Sequence, residues 1–390
     1  MLDDPQPFYA RARREEPIFW SETMAMWVVT RYEDVKAVAR DSAHFSSINS
    51  FSPAPATPPP ELLEVLQQGF PLLPSLVDAD PPLHTRARAM VNEALALRRL
   101  GTFEPILREL ANGLIDRFID DGRVEFVSAF AIPLPGNFIV DLLGLPRADL
   151  ERVNGWIGHS TAIFSGRGTL SELIAHAHGY VELQRYLAAT IEARQAEPRD
   201  DALSDIVRAA ADDPSLGLAE LVNMLLQLVF AGYETSAGML THAAVELARD
   251  PDLFAALRTD PTLGPQIIEE TLRIASPIHS MYRTAIEDVE IGGVTIRAGE
   301  RLQLAFISAN YDDEHFVEPQ RFELRRSCPH LAFGHGIHFC IGAPLARLEG
   351  RVALEVIAER FERLRLVPDQ TFEYFPNATA RRLEAVELEW

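Results

Sequence analysis

The chain has 390 residues, long enough for a large core, and that length on its own predicts two or three domains. A net charge of −21 argues against nucleic acid and anionic membrane surfaces as partners. With only two cysteines, Cys328 and Cys340, there is no disulfide framework, which points to a reducing cytoplasm.

From the start, Met1-Leu2-Asp3-Asp4-Pro5 lacks the basic and apolar regions of a signal peptide. No apolar run approaches the ~20 residues needed to cross a bilayer. The expectation is a soluble, unanchored, cytoplasmic protein. Ile18-Phe19-Trp20 and Met26-Trp27-Val28-Val29 read as a hairpin, followed by a short helix from Asp34 to Arg40. The run from Ser52 to Pro60 is proline-rich and stiff. Too few residues precede it for an independent core, so it reads as a surface loop of one domain spanning 1–390. Asp80-Pro81-Pro82-Leu83 is a good helix start, and His84 and Arg88 share a face of that helix.

The clearest helical periodicity runs from Leu216 to Arg249, with Ser215 as N-cap and Asp250-Pro251 as the stop. At 1.5 Å per residue this helix is roughly 50 Å long. Its middle, Leu225 to Phe230, is apolar nearly all round apart from Gln227, as in a buried helix. Short strands are expected at Val289-Glu290-Ile291, at Val294-Thr295-Ile296 and at Ala385-Val386-Glu387-Leu388. The fold class is mainly α with small β sheets.

Two segments carry chemistry. Ala231-Gly232-Tyr233-Glu234-Thr235-Ser236 puts a glycine and a carboxylate inside the buried helix. The glycine costs about 1 kcal/mol relative to alanine, and a buried carboxylate is costly unless paired. The threonine hydroxyl can bond back to the preceding turn and loosen the helix into a groove. The residues alone fit either a small-ligand groove or a kink with Glu234 reaching the surface. Phe333-Gly334-His335-Gly336-Ile337-His338-Phe339-Cys340-Ile341-Gly342 then sets one cysteine in a glycine-punctuated loop. A helix follows from Ala343-Pro344, and its dipole favours a thiolate at Cys340. A lone cysteine beside a turn also fits a buried structural thiol.

The decamer resembles the haem-ligand loop of the cytochrome P-450 family, Phe-Gly-x-Gly-x-His-x-Cys-x-Gly, at every fixed position. That resemblance implies Cys340 as the iron ligand, Phe333 as a ring packed near the sulfur and His338 as a haem-propionate partner. Cys328 matches nothing and reads as an inert thiol. The segment at Glu234-Thr235 is similar to the family's Ala/Gly-Gly-x-Asp/Glu-Thr signature, which implies Thr235 in oxygen activation and Glu234 as the acid of a proton relay. His84-x-x-x-Arg88 and Arg283 resemble further propionate donors. Glu270-x-x-Arg273 looks like the family's structural ion pair, with Arg321 as the third member of the cluster. Asn310-Tyr311-Asp312 departs from the family's Asn-Arg-Asp. The motifs follow the family's order along essentially the whole chain.

The resemblance implies a cytochrome P-450 fold with a long central helix crossing the haem, and heme b (iron protoporphyrin IX) as cofactor. The expected activity is a haem-thiolate monooxygenase. It inserts one atom of O2 into a mainly hydrophobic small organic substrate, with electrons from NAD(P)H through ferredoxin and ferredoxin reductase. A peroxygenase using H2O2 and a non-catalytic haem sensor are the alternatives. Alignment to the motifs places Gln227, Phe230, Ala231, Ile278, His279 and Thr379 in the substrate pocket. Phe70, Leu72, Leu73, Leu76 and Val77 fall in a variable loop that serves as a lid. Gln227 and His279 are the polar exceptions, so the substrate is expected to carry at least one hydrogen-bonding group. Ferredoxins are generally acidic, and Arg86, Arg98, Arg99, Arg347 and Arg351 are the candidates for a basic docking face.

Overall fold

In the computed structural model, residues 4–51, 58–95, 100–165, 168–211, 213, 216–326, 329–375, 377 and 379–390 are described. Most of the proline-rich run, together with Arg98, Arg99, Ser215 and Cys328, lies outside them. The chain divides into two compact units. One comprises Met1–Ala54, Glu104–Pro135 and Glu234–Trp390, and the other Pro55–Phe103 and Gly136–Tyr233.

The first unit holds the sheets. Ile18–Ser21 and Met26–Val29 form the expected hairpin, with Trp20 opposite Trp27. Met26–Val29 pairs in parallel with Arg301–Leu304, which pairs antiparallel with Met281–Ala285, and Phe45–Ser46 completes five strands. The helix Tyr32–Arg40 packs beneath this sheet through Tyr32, Val35 and Val38, which join Phe45, Leu302 and Leu304 in one apolar cluster. Val289–Ile291 and Val294–Ile296 form a hairpin that turns at Gly292-Gly293, both with positive φ. Glycine, having no Cβ, adopts positive φ at both positions without steric cost. A third sheet joins Arg123–Glu125, Glu387–Glu389 and Arg365–Leu366. The last helix of this unit is Ala343–Arg360, with proline in its first turn.

The second unit is helical. Leu150–Ser165 packs along Leu170–Ala196, whose start is fixed by a capping box between Thr169 and Glu172. Leu83–Ala94 packs on Ala202–Ala210.

The long helix runs Leu218–Arg249, 32 residues, and contributes its two halves to the two units. It is continuous through Gly232, so the expected polar break interrupts the apolar pattern and leaves the element whole.

Candidate active site

The Cys340 loop is built by backbone geometry. Gly334 and Gly336 have φ of +69° and +75°. At Gly336 an added Cβ would lie 2.6 Å from the Ala39 carbonyl oxygen and 2.8 Å from the Arg40 Cα, so the loop is pressed against the end of helix Tyr32–Arg40. The Cys340 N–H donates to the Phe333 carbonyl at 2.9 Å, which closes the loop just before helix Ala343–Arg360. Phe333 is buried, and the Arg347 guanidinium lies 4.6 Å above its ring. Cys340 and His338 are half-buried in this loop. Arg283, on strand Met281–Ala285, is buried and donates to the Tyr282 carbonyl.

Glu234 is 4% exposed and does not reach the surface. Arg382 Nε donates to its Oε1 at 2.9 Å, and Arg382 also donates to the Leu383 carbonyl. The buried carboxylate therefore has the partner that its environment demands. That partner lies 148 residues away on the C-terminal segment and was not foreseen. The same segment carries Thr379, whose hydroxyl donates to the Phe51 carbonyl and whose carbonyl accepts from His279 N–H at 2.9 Å. Ile278 bridges Ala380. Three of the expected pocket residues, Ile278, His279 and Thr379, thus come together. Burial is the main cause that pushes the His279 imidazole down to about 4, so it is neutral at pH 7.

A second acid was also missed. Glu349, on helix Ala343–Arg360, is 3% exposed, and its Oε1 has no hydrogen-bond partner. Burial pushes its carboxyl up to about 8, against a weaker opposing hydrogen bond from Ser236. Ser236 directly follows Thr235. The close approach of this helix is made by Gly350, where a Cβ would come within 2.7 Å of Ile268. A buried glutamate with no basic residue in its helical register was the only sequence signal available.

The Glu270–Arg273 pair forms as expected. Arg273 donates to both Glu270 oxygens at 2.8 and 2.7 Å, and also to the carbonyls of Asn310, Pro319 and Arg321. The third side chain is Arg326, whose Nε donates to Glu270 at 2.9 Å. Arg321 itself points outward to Glu318 and enters the cluster only through its carbonyl. Asn310 and Asp312 are both engaged, Asn310 with Leu331 and Ser276 and Asp312 with the Tyr32 N–H.

In the second unit, His84 is buried and Arg88 half-buried on one face of helix Leu83–Ala94. Burial first, and the Arg88 charge second, hold the His84 imidazole below its ordinary range. Gln227 is hydrogen-bonded at both ends of its amide: Nε2 donates to Asp78 at 2.7 Å and Oε1 accepts from the Val77 N–H at 3.0 Å. Asn223, one turn earlier, accepts from Leu73 N–H and donates to the Pro71 carbonyl. Gln184 binds both main-chain groups of Phe70. Three amide side chains thus hold the 70–78 loop. Phe230 and Ala231 follow on the same helix.

The expected basic face is compensated wherever it is described. Arg86 pairs with Asp213, Arg347 with Glu269 at 2.7 and 2.8 Å, and Arg351 with Glu104 and Glu355.

A family model described as Cytochrome P450 matches residues 173–380. Among curated proteins, the chain is 35% identical to the cytochrome P450 monooxygenase PikC of Streptomyces venezuelae, over 99% of this chain and 91% of that one. It is 36% identical to the mycinamicin IV hydroxylase/epoxidase of Micromonospora griseorubida, over 93% and 89%. Among solved structures, the Tepidiphilus thermophilus P450 heme domain superposes with a TM-score of 0.94 at 30% identity, covering 100% of this chain and 94% of that one.

Haem iron is the cofactor that this family implies, and the donor set fits it. Cys340 sets a thiol that is in no disulfide among the described residues at a helix start, a donor of the kind haem iron takes, and in the same unit His338 and Arg283 are nitrogen donors of the kind a propionate carboxylate takes. Continuous likeness over nearly the whole chain leads to one conclusion: this protein belongs to the cytochrome P450 family and is a monooxygenase of the oxidoreductase class.

Proposed function

We propose that residues 1–390 form one haem domain that binds heme b through Cys340. In this reading it hydroxylates or epoxidises a mainly hydrophobic small molecule in the cytoplasm, with NAD(P)H electrons delivered by ferredoxin and its reductase. The observation that carries the reading is the Cys340 loop, which holds the thiol by glycine geometry at the start of a helix. His338, Arg283, His84 and Arg88 take the propionates, and Phe333 shields the sulfur. When bound, the haem supplies the activation of O2, and the chain supplies positioning and protons.

The two buried carboxylates divide the proton work. Glu234 is held as the partner of the Arg382 cation, whereas Glu349 is a neutral acid at pH 7. Glu349 holds a proton, the Ser236 hydroxyl is hydrogen-bonded to its carboxyl, and Thr235 lies next in the chain to direct the proton. Glu234 recharges the relay when it leaves Arg382. Phe230, Ala231 and Ile278 supply apolar surface for the substrate, and Thr379 fixes the segment opposite His279. The neutral His279 imidazole can donate or accept one hydrogen bond, which supports a substrate bearing a carbonyl or hydroxyl group. Gln227 acts by holding the lid loop. The relative named as a mycinamicin IV hydroxylase/epoxidase supports hydroxylation or epoxidation as the reaction. Among the described residues no helix is long and apolar enough to cross a membrane.

The test has two parts. The reduced protein with CO should show the red-shifted band of a thiolate-bound haem. Cys340→Ala should lose that band and Cys328→Ala should keep it; the opposite pattern refutes the ligand assignment. With NAD(P)H and surrogate redox partners, Thr235→Ala should still consume electrons but release much of the flux as H2O2. Unchanged coupling removes Thr235 from the reaction, and full turnover of the wild type on H2O2 alone favours a peroxygenase.

A further inference from the structure

Apart from the haem chemistry, we infer that His159 and His176 form a two-nitrogen chelate for a divalent late transition ion, Cu2+ by preference, which clips helix Leu150–Ser165 to helix Leu170–Ala196.

The two rings meet between the helices. His159 Nδ1 and His176 Nδ1 face each other at 2.9 Å, with ring centroids 5.2 Å apart and planes inclined at 50°. A hydrogen bond across this gap uses a proton on one nitrogen and a lone pair on the other. Exchange of that one proton for a metal ion makes ligands of both nitrogens. The gap fits the ion. Two nitrogens at the usual 2.0–2.1 Å from one metal, at right angles to each other, lie about 2.9 Å apart, whereas a tetrahedral angle spreads them to about 3.3 Å. The observed separation therefore suits neighbouring positions of a tetragonal centre, the geometry of Cu2+ and Ni2+, and Cu2+ is the tighter binder of the two. A small rotation of the rings turns the facing lone pairs onto a common point.

The seat is built into the partner helix. Gly179 lies three residues after His176, on the same face of Leu170–Ala196. A Cβ added there would lie 2.2 Å from His159 Cδ2 and 2.9 Å from His159 Cβ. Glycine is unfavourable inside a helix, and here its missing side chain gives the His159 ring its place. Burial first, and the His176 charge second, hold the His159 imidazole below its ordinary range, so the ring is ready to ligate without first losing a charge. Both rings are half-buried and within reach of an ion from solvent. His178, two residues beyond His176, is exposed and falls on another face of the helix.

The site is an open one. Among the described residues no group of three or more His, Cys, Asp or Glu side chains could hold a metal. Glu172, one turn before His176, is engaged through Oε2 with Thr169 in the capping box. Water therefore completes the coordination, and the ion exchanges with solvent. The helices are clipped when it is bound and joined here by one hydrogen bond when it leaves.

The test uses the haem-loaded enzyme, freed of trace metal, and CuCl2 alone. Pulsed electron paramagnetic resonance should show one Cu2+ per chain coupled to nitrogens of two imidazoles. His159→Gln and His176→Gln should each remove one imidazole and weaken binding by about tenfold or more, while His178→Gln binds as the wild type does. Amide hydrogen exchange over 157–179 should slow by roughly tenfold when Cu2+ is added to the wild type, and should not respond in His176→Gln. The CO band should be the same in all variants, which keeps this site distinct from the haem. Binding that survives both substitutions, or that His178→Gln abolishes, is adventitious surface binding and overturns the proposal. Hydrogen exchange indifferent to Cu2+ in the wild type overturns the clip. If His159→Gln fails to fold, His176→Gln still decides, because it removes the second ligand and leaves the Gly179 seat filled.

Discussion

Replacing Glu349 by glutamine tests whether the unforeseen acid is neutral. The substitution keeps the size and the hydrogen-bonding end next to Ser236 but removes the titration. In the folded protein the carboxyl is pushed up to about 8, while the ordinary value is 4.5. A raised acid of this kind contributes stability that is fully present below 4.5 and lost as pH rises through 8. Across that window the folded state holds a proton that the unfolded state has released, so stability falls by about 1.4 kcal/mol per pH unit. The whole displacement amounts to about 5 kcal/mol. Between about pH 5.5 and pH 7.5, urea unfolding of the wild type should therefore lose about 3 kcal/mol more than Glu349→Gln loses. Infrared titration supplies a direct readout: the carbonyl band of a neutral carboxylic acid should persist at pH 7, fade near pH 8 and be absent from the variant. Parallel stability curves, together with no such band at pH 7, would refute both the neutral acid and its part in the proton relay.

Two further substitutions separate positions that look equivalent in the sequence. Arg326→Ala removes one cation from the buried Glu270 carboxylate and should cost about 3 kcal/mol or more, whereas Arg321→Ala cuts only an exposed pair and should stay within about 0.5 kcal/mol; chemical unfolding of both decides. Gln227→Leu removes two hydrogen bonds from the lid loop, so amide hydrogen exchange at 73–78 should quicken by roughly tenfold, while the CO band stays unchanged; unaltered exchange would show that the loop is held elsewhere.

What was legible in the sequence was local. The cysteine loop is written in adjacent residues, because glycines at positive φ and a proline in the first helical turn act within a few positions. The hairpins and the long helix declare themselves through periodicity. Partners brought from afar were not legible. Nothing near Glu234 announces Arg382, and the sequence offered a surface exit for the carboxylate as readily as a buried pair. The motif points to Arg321 and gives no sign of Arg326, because the cluster is organised largely by main-chain carbonyls, to which any residue contributes equally. Alignment to the motifs places Gln227 among the pocket residues, and its polarity there suggests a hydrogen bond to a substrate. Its partners, Val77 and Asp78, are 150 and 149 residues away, and the helix side of that bond gives no hint of the loop.

The way the lid loop is held bears on how this enzyme can change what it oxidises. Gln184, Asn223 and Gln227 grip Phe70, Pro71, Leu73 and Val77 by their peptide groups and by no side-chain atom. In the proposed reading, in which this loop faces the substrate, the side chains are therefore decoupled from the peptide groups that fix the path of the backbone. Phe70, Leu73 and Val77 can be exchanged for larger, smaller or more polar residues while every one of these tethers survives. Asp78 is the exception, since its carboxylate is itself a tether. A descendant of this chain can thus acquire a new substrate by point substitution in the loop without re-solving the problem of folding it.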